Sequence, residues 1–187
     1  MSTETDTQAA PIRLLQTAAF VATFDRFAMP PMLVAIAADL GVPLGSVVQA
    51  AGAYFLAYGI TQPVWGTVSD RFGRVATMRM TLLLAGLSSI ASAATGTALL
   101  LGIARGVAGG LFGAAYPAAL IYIGDTVRAE VRQRDVARLM VGTALGTALA
   151  SVGAGIVADA LSWRVMFVLT GVAAIALAAR QIGRAHV

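Results

Sequence analysis

The sequence predicts an all-α, polytopic membrane protein built from six spanning helices. Three observations carry that prediction. Only 12% of the 187 residues are charged, against about 25% in soluble domains. Mean hydropathy is +0.81. The charges are also clustered: Leu40 to Ser69, Met80 to Ala104, Gly106 to Gly124 and Leu139 to Ala158 contain none. A bilayer-spanning helix needs roughly 20 apolar residues, and these runs have that length.

The chain opens on a polar stretch, Met1 to Pro11, carrying Glu4 and Asp6. It lacks the basic start of a signal peptide, so residues 1–12 are expected to form a disordered cytoplasmic tail. The first span is expected from about Leu14 to Ala37, the second from Val47 to Val68 and the third from Ala76 to Ala94. The fourth follows from Leu99 to Ile123, the fifth from Leu139 to Leu161 and the sixth from Val165 to Ala179. Together residues 13–181 form the six-helix domain.

The connections alternate in charge. One set holds Arg71, Arg74 and Arg79, then Arg128, Arg132, Arg134 and Arg138; the other holds Asp39, the turn Thr95-Gly96-Thr97, and Asp159 with Arg164. Basic residues collect in cytoplasmic loops. The arginine-rich connections and both chain ends are therefore expected on the cytoplasmic side of the cell's inner (plasma) membrane. The net charge of +4 does not suggest nucleic acid, because the arginines cluster at the ends of apolar runs rather than on one soluble face.

Gly102, Gly106 and Gly110 are spaced by four in the fourth span, as are Gly109 and Gly113, and Gly142 and Gly146 in the fifth. Small residues at that spacing let helices approach closely in lipid. Pro30-Pro31, Pro63 and Pro117 are expected to kink or interrupt their helices.

The connection after the second span reads Gly66-Thr67-Val68-Ser69-Asp70-Arg71-Phe72-Gly73-Arg74. It resembles the signature loop of the major facilitator superfamily: Gly, three residues, Asp-Arg, one residue, Gly-Arg or Gly-Lys. Gly66 and Gly73 suit a tight turn and close helix approach; Asp70 suits accepting bonds from arginines or a helix N-terminus. Arg105-Gly106-Val107-Ala108-Gly109 is similar to the family's Arg-x-x-Gln-Gly motif, with Ala108 in place of glutamine. Asp125 resembles the family's acidic partner of the signature loop, so Arg74 or Arg71 is expected to face it. Gly142-Thr143-Ala144-Leu145-Gly146-Thr147 partly resembles the family's antiporter motif, with Thr147 in place of proline. Trp163-Arg164 and Phe167 look like the start of a family sixth span. The fold implied is the N-terminal half of a two-half transporter, and the implied partner is a missing C-terminal six-helix half.

Asp25 and Arg26 lie near the middle of the first span, where ionisable residues are functional candidates. Val21, Asp25, Met29 and Met32 share a face, expected to look into a cavity. Tyr54, Tyr58 and Gln62 repeat at spacing four, and Arg105, Phe112 and Tyr116 share a face of the fourth span. An aromatic, methionine-lined cavity with few charges suits an amphipathic or cationic organic solute. Asp25, Arg26, Arg105, Tyr54, Tyr58 and Tyr116 are the candidate substrate and proton residues. A structural ion pair between Asp25 and an arginine, and ordinary aromatic packing, are the competing readings.

The resemblance implies a secondary transporter of a small organic solute, with proton-coupled efflux as the finer expectation and protons as a partner. A six-span half-transporter acting as a homodimer is the alternative. No enzymatic activity, cofactor or metal is expected: the chain has no cysteine and its one histidine, His186, is five residues from the end of the apolar domain. A channel is disfavoured by the lack of a filter-like loop or charge ring. The final residues, Ile182-Gly183-Arg184-Ala185-His186-Val187, are what a common short-read sequencing adapter encodes in one frame. Residues 182–187 are therefore expected to be an artefact, with the natural coding sequence continuing.

Overall fold

A computed structural model describes residues 12–182. The expectations for the N-terminal tail, Ile12 apart, and for residues 183–187 lie outside the described residues. Seven helices follow one another: α1 Ile12–Leu40, α2 Leu44–Phe72, α3 Arg74–Ala93, α4 Ala98–Phe112, α5 Ala115–Thr126, α6 Ala129–Ala160 and α7 Trp163–Ile182. α4 and α5 are the two parts of one span, so the helices make six membrane-length spans, as expected. No strand occurs among the described residues.

The closest helix pairings are α1 with α6, α3 with α7, and α2 with α4. Glycines set each of them. A methyl group built on Gly142 or Gly146 of α6 would lie 2.6 Å from the Gln16 or Phe20 carbonyl oxygen of α1. Gly86 of α3 and Gly171 of α7 face each other reciprocally, each 2.6 Å from the other's carbonyl oxygen by the same measure. Gly109 of α4 abuts the Tyr54 backbone of α2. In lipid there is no water-driven force between helices, so backbone proximity and packing hold such pairs. The outward faces carry Val34, Leu56, Ile60, Leu99, Val152 and Ile156, which suits a hydrocarbon surround.

Three features differ from the sequence expectation. Pro30, Pro31 and Pro63 sit inside α1 and α2 without ending them. The interruption expected near Pro117 does occur, at Gly113-Ala114, four and three residues before it. Proline has no N–H to return to the carbonyl four residues back, so the helix loosens there. The Ala114 N–H turns to Leu111, and the Gly110 carbonyl accepts instead from Thr61 Oγ1 at 2.8 Å and Trp65 Nε1 at 2.6 Å.

Second, most of the signature segment is helical. α2 runs through Phe72, and Gly73 alone makes the turn, at φ 86°. Gly66 lies inside α2 with open space beside it, so it supplies neither a turn nor a close approach within this bundle. Third, the arginine-rich segment before the fifth span belongs to α6, and its Arg132 guanidinium donates at 3.2 Å to the carbonyl of Val127, the residue that ends α5. Hydropathy marks where a helix leaves lipid, not where the helix ends.

Candidate functional site

The centre of the bundle is a buried polar node. Asp25 on α1 and Arg105 on α4 are both 0% exposed and form an ion pair, Nη2 to Oδ2, at 2.7 Å. The same Nη2 donates to the Asp25 carbonyl oxygen at 3.1 Å, and Nη1 to Oδ1 at 3.3 Å. Asp25 Oδ1 also accepts from Ser89 Oγ of α3 at 2.8 Å and Thr170 Oγ1 of α7 at 2.9 Å. One carboxylate thus ties four helices together. The Arg105 guanidinium lies between the Tyr54 and Phe167 rings, 4.5 Å from each centroid. Arg105 Nε and the Tyr54 hydroxyl are buried without a hydrogen-bond partner among the described residues.

Burial of this kind makes the node two-faced. A buried ion pair contributes little net stability, but loss of one partner leaves an uncompensated charge. Loss of the Asp25 charge would leave Arg105 without its counter-ion, while the carboxyl oxygens could still accept from Ser89 and Thr170. The arrangement ties the charge of one carboxylate to the packing of four helices.

Arg26 points elsewhere, as adjacent helical residues do. Its guanidinium is half-buried against Phe27 and Tyr58, 4.7 Å from each ring centroid. Tyr54 and Tyr58 stack at 6.3 Å, so Tyr58 links the Arg26 environment to the node. Two of the expectations need correction. Val21, Asp25, Met29 and Met32 do not line an open cavity; all four are buried in the bundle core. Tyr116 does not join the group: it packs in a separate apolar cluster with Met78, Ala119 and Ile123.

At one end of the bundle the signature segment forms a second cluster. Arg74 donates through Nε to Asp125 Oδ2 at 2.6 Å, and through Nη1 to Asp70 Oδ1 at 2.8 Å and Ser69 Oγ at 3.3 Å. The single guanidinium therefore joins the end of α2, the start of α3 and the end of α5. Of the two arginines expected to face Asp125, it is Arg74; Arg71 is exposed and outside these contacts.

Sequence reasoning missed a third cluster, at the opposite end. Asp39 of α1 accepts from the Arg164 guanidinium and, at 3.2 Å, from Trp163 Nε1 of α7. Arg164 also reaches the Thr95 carbonyl at 3.4 Å and lies 4.3 Å over the Trp163 ring. The available signal was the pairing of an acidic residue ending one span with Trp-Arg starting another. Ser89 and Thr170 were missed too, since hydroxyl residues are common in membrane helices and nothing local marks these two.

A sequence model described as the Major Facilitator Superfamily matches residues 15–183. No curated protein matches the sequence. Among solved structures, the chain is similar to the proton:xylose symporter XylE bound to 6-bromo-6-deoxy-D-glucose, with TM-score 0.78 and 16% identity over 92% of this chain and 43% of that one. It is similar also to the inward-open xylose transporter XylE from E. coli, with TM-score 0.76 and 16% identity over 92% of this chain and 47% of that one. A D-xylose-proton symporter matches with TM-score 0.78 and 16% identity over 91% and 47%. The chain thus spans less than half the length of these structures, and at such identity the likeness is one of fold.

Proposed function

The chain belongs to the major facilitator superfamily, and from that membership we propose that it is the N-terminal half of a secondary transporter for a small organic solute, driven by protons. The observation that carries the reading is the Asp25 node. A fully buried carboxylate shared among α1, α3, α4 and α7 links the protonation of one atom pair to the packing of four helices. In such transporters solute binds between two six-helix repeats that rock against each other. The partner proposed here is therefore a second six-helix half, in keeping with the 43–47% coverage of the matched structures.

Arg74, Asp70 and Asp125 are proposed as the latch of that rocking motion on the cytoplasmic side. As surface ion pairs they contribute only about 0–1 kcal/mol each. Such a latch serves as a switch because its energy is small enough to break in each cycle. The finer proposal is export, supported by the acidic residue in the first span and the Gly142 and Gly146 pair. The sugar and the direction of flux printed for XylE stay with that protein.

The test is gradient-driven flux in proteoliposomes holding the complete transporter. Asp25→Asn should abolish accumulation against a pH gradient while retaining energy-independent exchange of solute. Wild-type accumulation by Asp25→Asn would remove Asp25 from proton coupling.

A further inference from the structure

The middle of the membrane holds three charged side chains among the described residues: Asp25, Arg26 and Arg105. Asp25 and Arg105 consume each other, down to the backbone carbonyl of Asp25. Arg26 therefore has no compensating carboxylate. No hydrogen-bond acceptor among the described residues reaches its guanidinium, and its Nε is buried and unsatisfied. A lone cation at this depth cannot face hydrocarbon cheaply; it must meet water, a counter-charge or both.

Its surroundings say which. Arg26 lies on a face of α1 that continues through Pro30 and Val34, one and two turns on, and both are exposed. From Pro30 onward that face is open, while Arg26 itself is half-buried beside α2. The guanidinium lies against Phe27 and Tyr58, and Phe27 meets the 40%-exposed Phe55 edge-on at 6.1 Å. Aromatic faces hold a guanidinium in place and leave its N–H edge free. A planar fork of donors beside apolar rings fits a planar oxyanion bidentately.

We propose that Arg26 is the anion subsite of the transported solute, which is an amphipathic organic carboxylate with its apolar body against Phe27, Phe55 and Tyr58. This rests on the transport reading above and narrows the expected amphipathic or cationic solute to an amphipathic anion. The shared chemistry of the site is a carboxylate on a guanidinium, and the rival source is an acidic side chain of the second half.

Benzoate, its neutral isostere benzamide, and benzylamine are the probes, titrated against the complete detergent-purified transporter by calorimetry and thermal shift. Benzoate should bind about tenfold or more tightly than benzamide, and benzylamine should not bind. Arg26→Gln should remove the preference for benzoate over benzamide. Arg26→Lys keeps the charge but not the fork, and should retain part of that preference; it also controls for a folding defect in Arg26→Gln. Equal binding of benzoate and benzamide, absence of benzoate binding, or an unchanged preference in Arg26→Gln overturns the proposal in favour of a second-half carboxylate. Proton-driven flux of a neutral or cationic solute that Arg26→Gln carries at the wild-type rate also overturns it, while the transport reading stands. Arg26-dependent benzoate binding without flux across a pH gradient supports the subsite and overturns the transport reading.

Discussion

Arg105→Leu and Asp25→Asn each break the central ion pair, and the structure predicts that they fail differently. Removing one partner of a buried pair costs about 3–5 kcal/mol, whereas replacing both is often neutral or better. At about 1.4 kcal/mol per decade, each single variant should lose roughly two to four orders of magnitude in its folding equilibrium. In Arg105→Leu the orphan is a carboxylate that keeps Ser89 at 2.8 Å and Thr170 at 2.9 Å. In Asp25→Asn the orphan is a guanidinium, which cannot lose its proton and lies between Tyr54 and Phe167. The double variant should be more stable than the two single losses add up to, because no unpaired charge remains. The assay is the apparent melting temperature from monodisperse protein surviving heating, measured for wild type, both singles and the double. Losses below about 1 kcal/mol, or a double loss equal to the sum of the singles, would refute the claim that the pair is dry and mutually dependent.

Three further outcomes are expected. Arg74→Ala should lower stability by no more than about 1 kcal/mol, as for an exposed pair, yet reduce the transport rate severalfold; an unchanged rate in proteoliposomes would leave the segment as a topology signal only. Gly146→Ala places a methyl 2.6 Å from the Phe20 carbonyl and should cost about 1–3 kcal/mol as overpacking, while Gly153→Ala, with open space beside it, should be silent in the same thermal assay. Cysteines placed at Gly41 and Gly96 should react with an impermeant thiol reagent on intact cells and one at Gln133 should not; labelling at Gln133 would reverse the orientation read from the arginines.

The spans were legible because bilayer thickness imposes a run length that composition cannot hide, and the segment from Gly66 to Arg74 because its charges sit at fixed spacing. The Arg74–Asp125 contact, 51 residues apart, was anticipated only through the resemblance of Asp125 to the family's acidic partner, with Arg71 as the alternative. Asp25 and Arg105 were recognisable as unusual, but their partnership joins residues 80 apart, which helical periodicity does not encode. Tyr116 was misplaced for a sharper reason. Counting it onto the Arg105 face assumes one continuous helix, whereas the break at Gly113-Ala114 separates the two residues and voids the phase. Gly109, Gly142 and Gly146 were read as packing elements, but their partners, α2 for the first and α1 for the other two, emerged only from the fold, and the Gly86–Gly171 contact was not anticipated.

The same long-range node has a consequence for biosynthesis. Asp25 enters the membrane with its own span, yet Arg105 follows 80 residues later and Thr170 145 residues later. At about 5–20 residues per second, the first span waits roughly 4–16 seconds for its counter-ion and about 7–29 seconds for its last hydroxyl donor. Through that interval a carboxylate at mid-span carries an insertion penalty of about 2.5–3.5 kcal/mol with nothing to offset it. The span whose charge later organises the finished bundle is thus the hardest to install, and stalling between the third and fourth spans should leave the nascent chain at its most vulnerable to quality control.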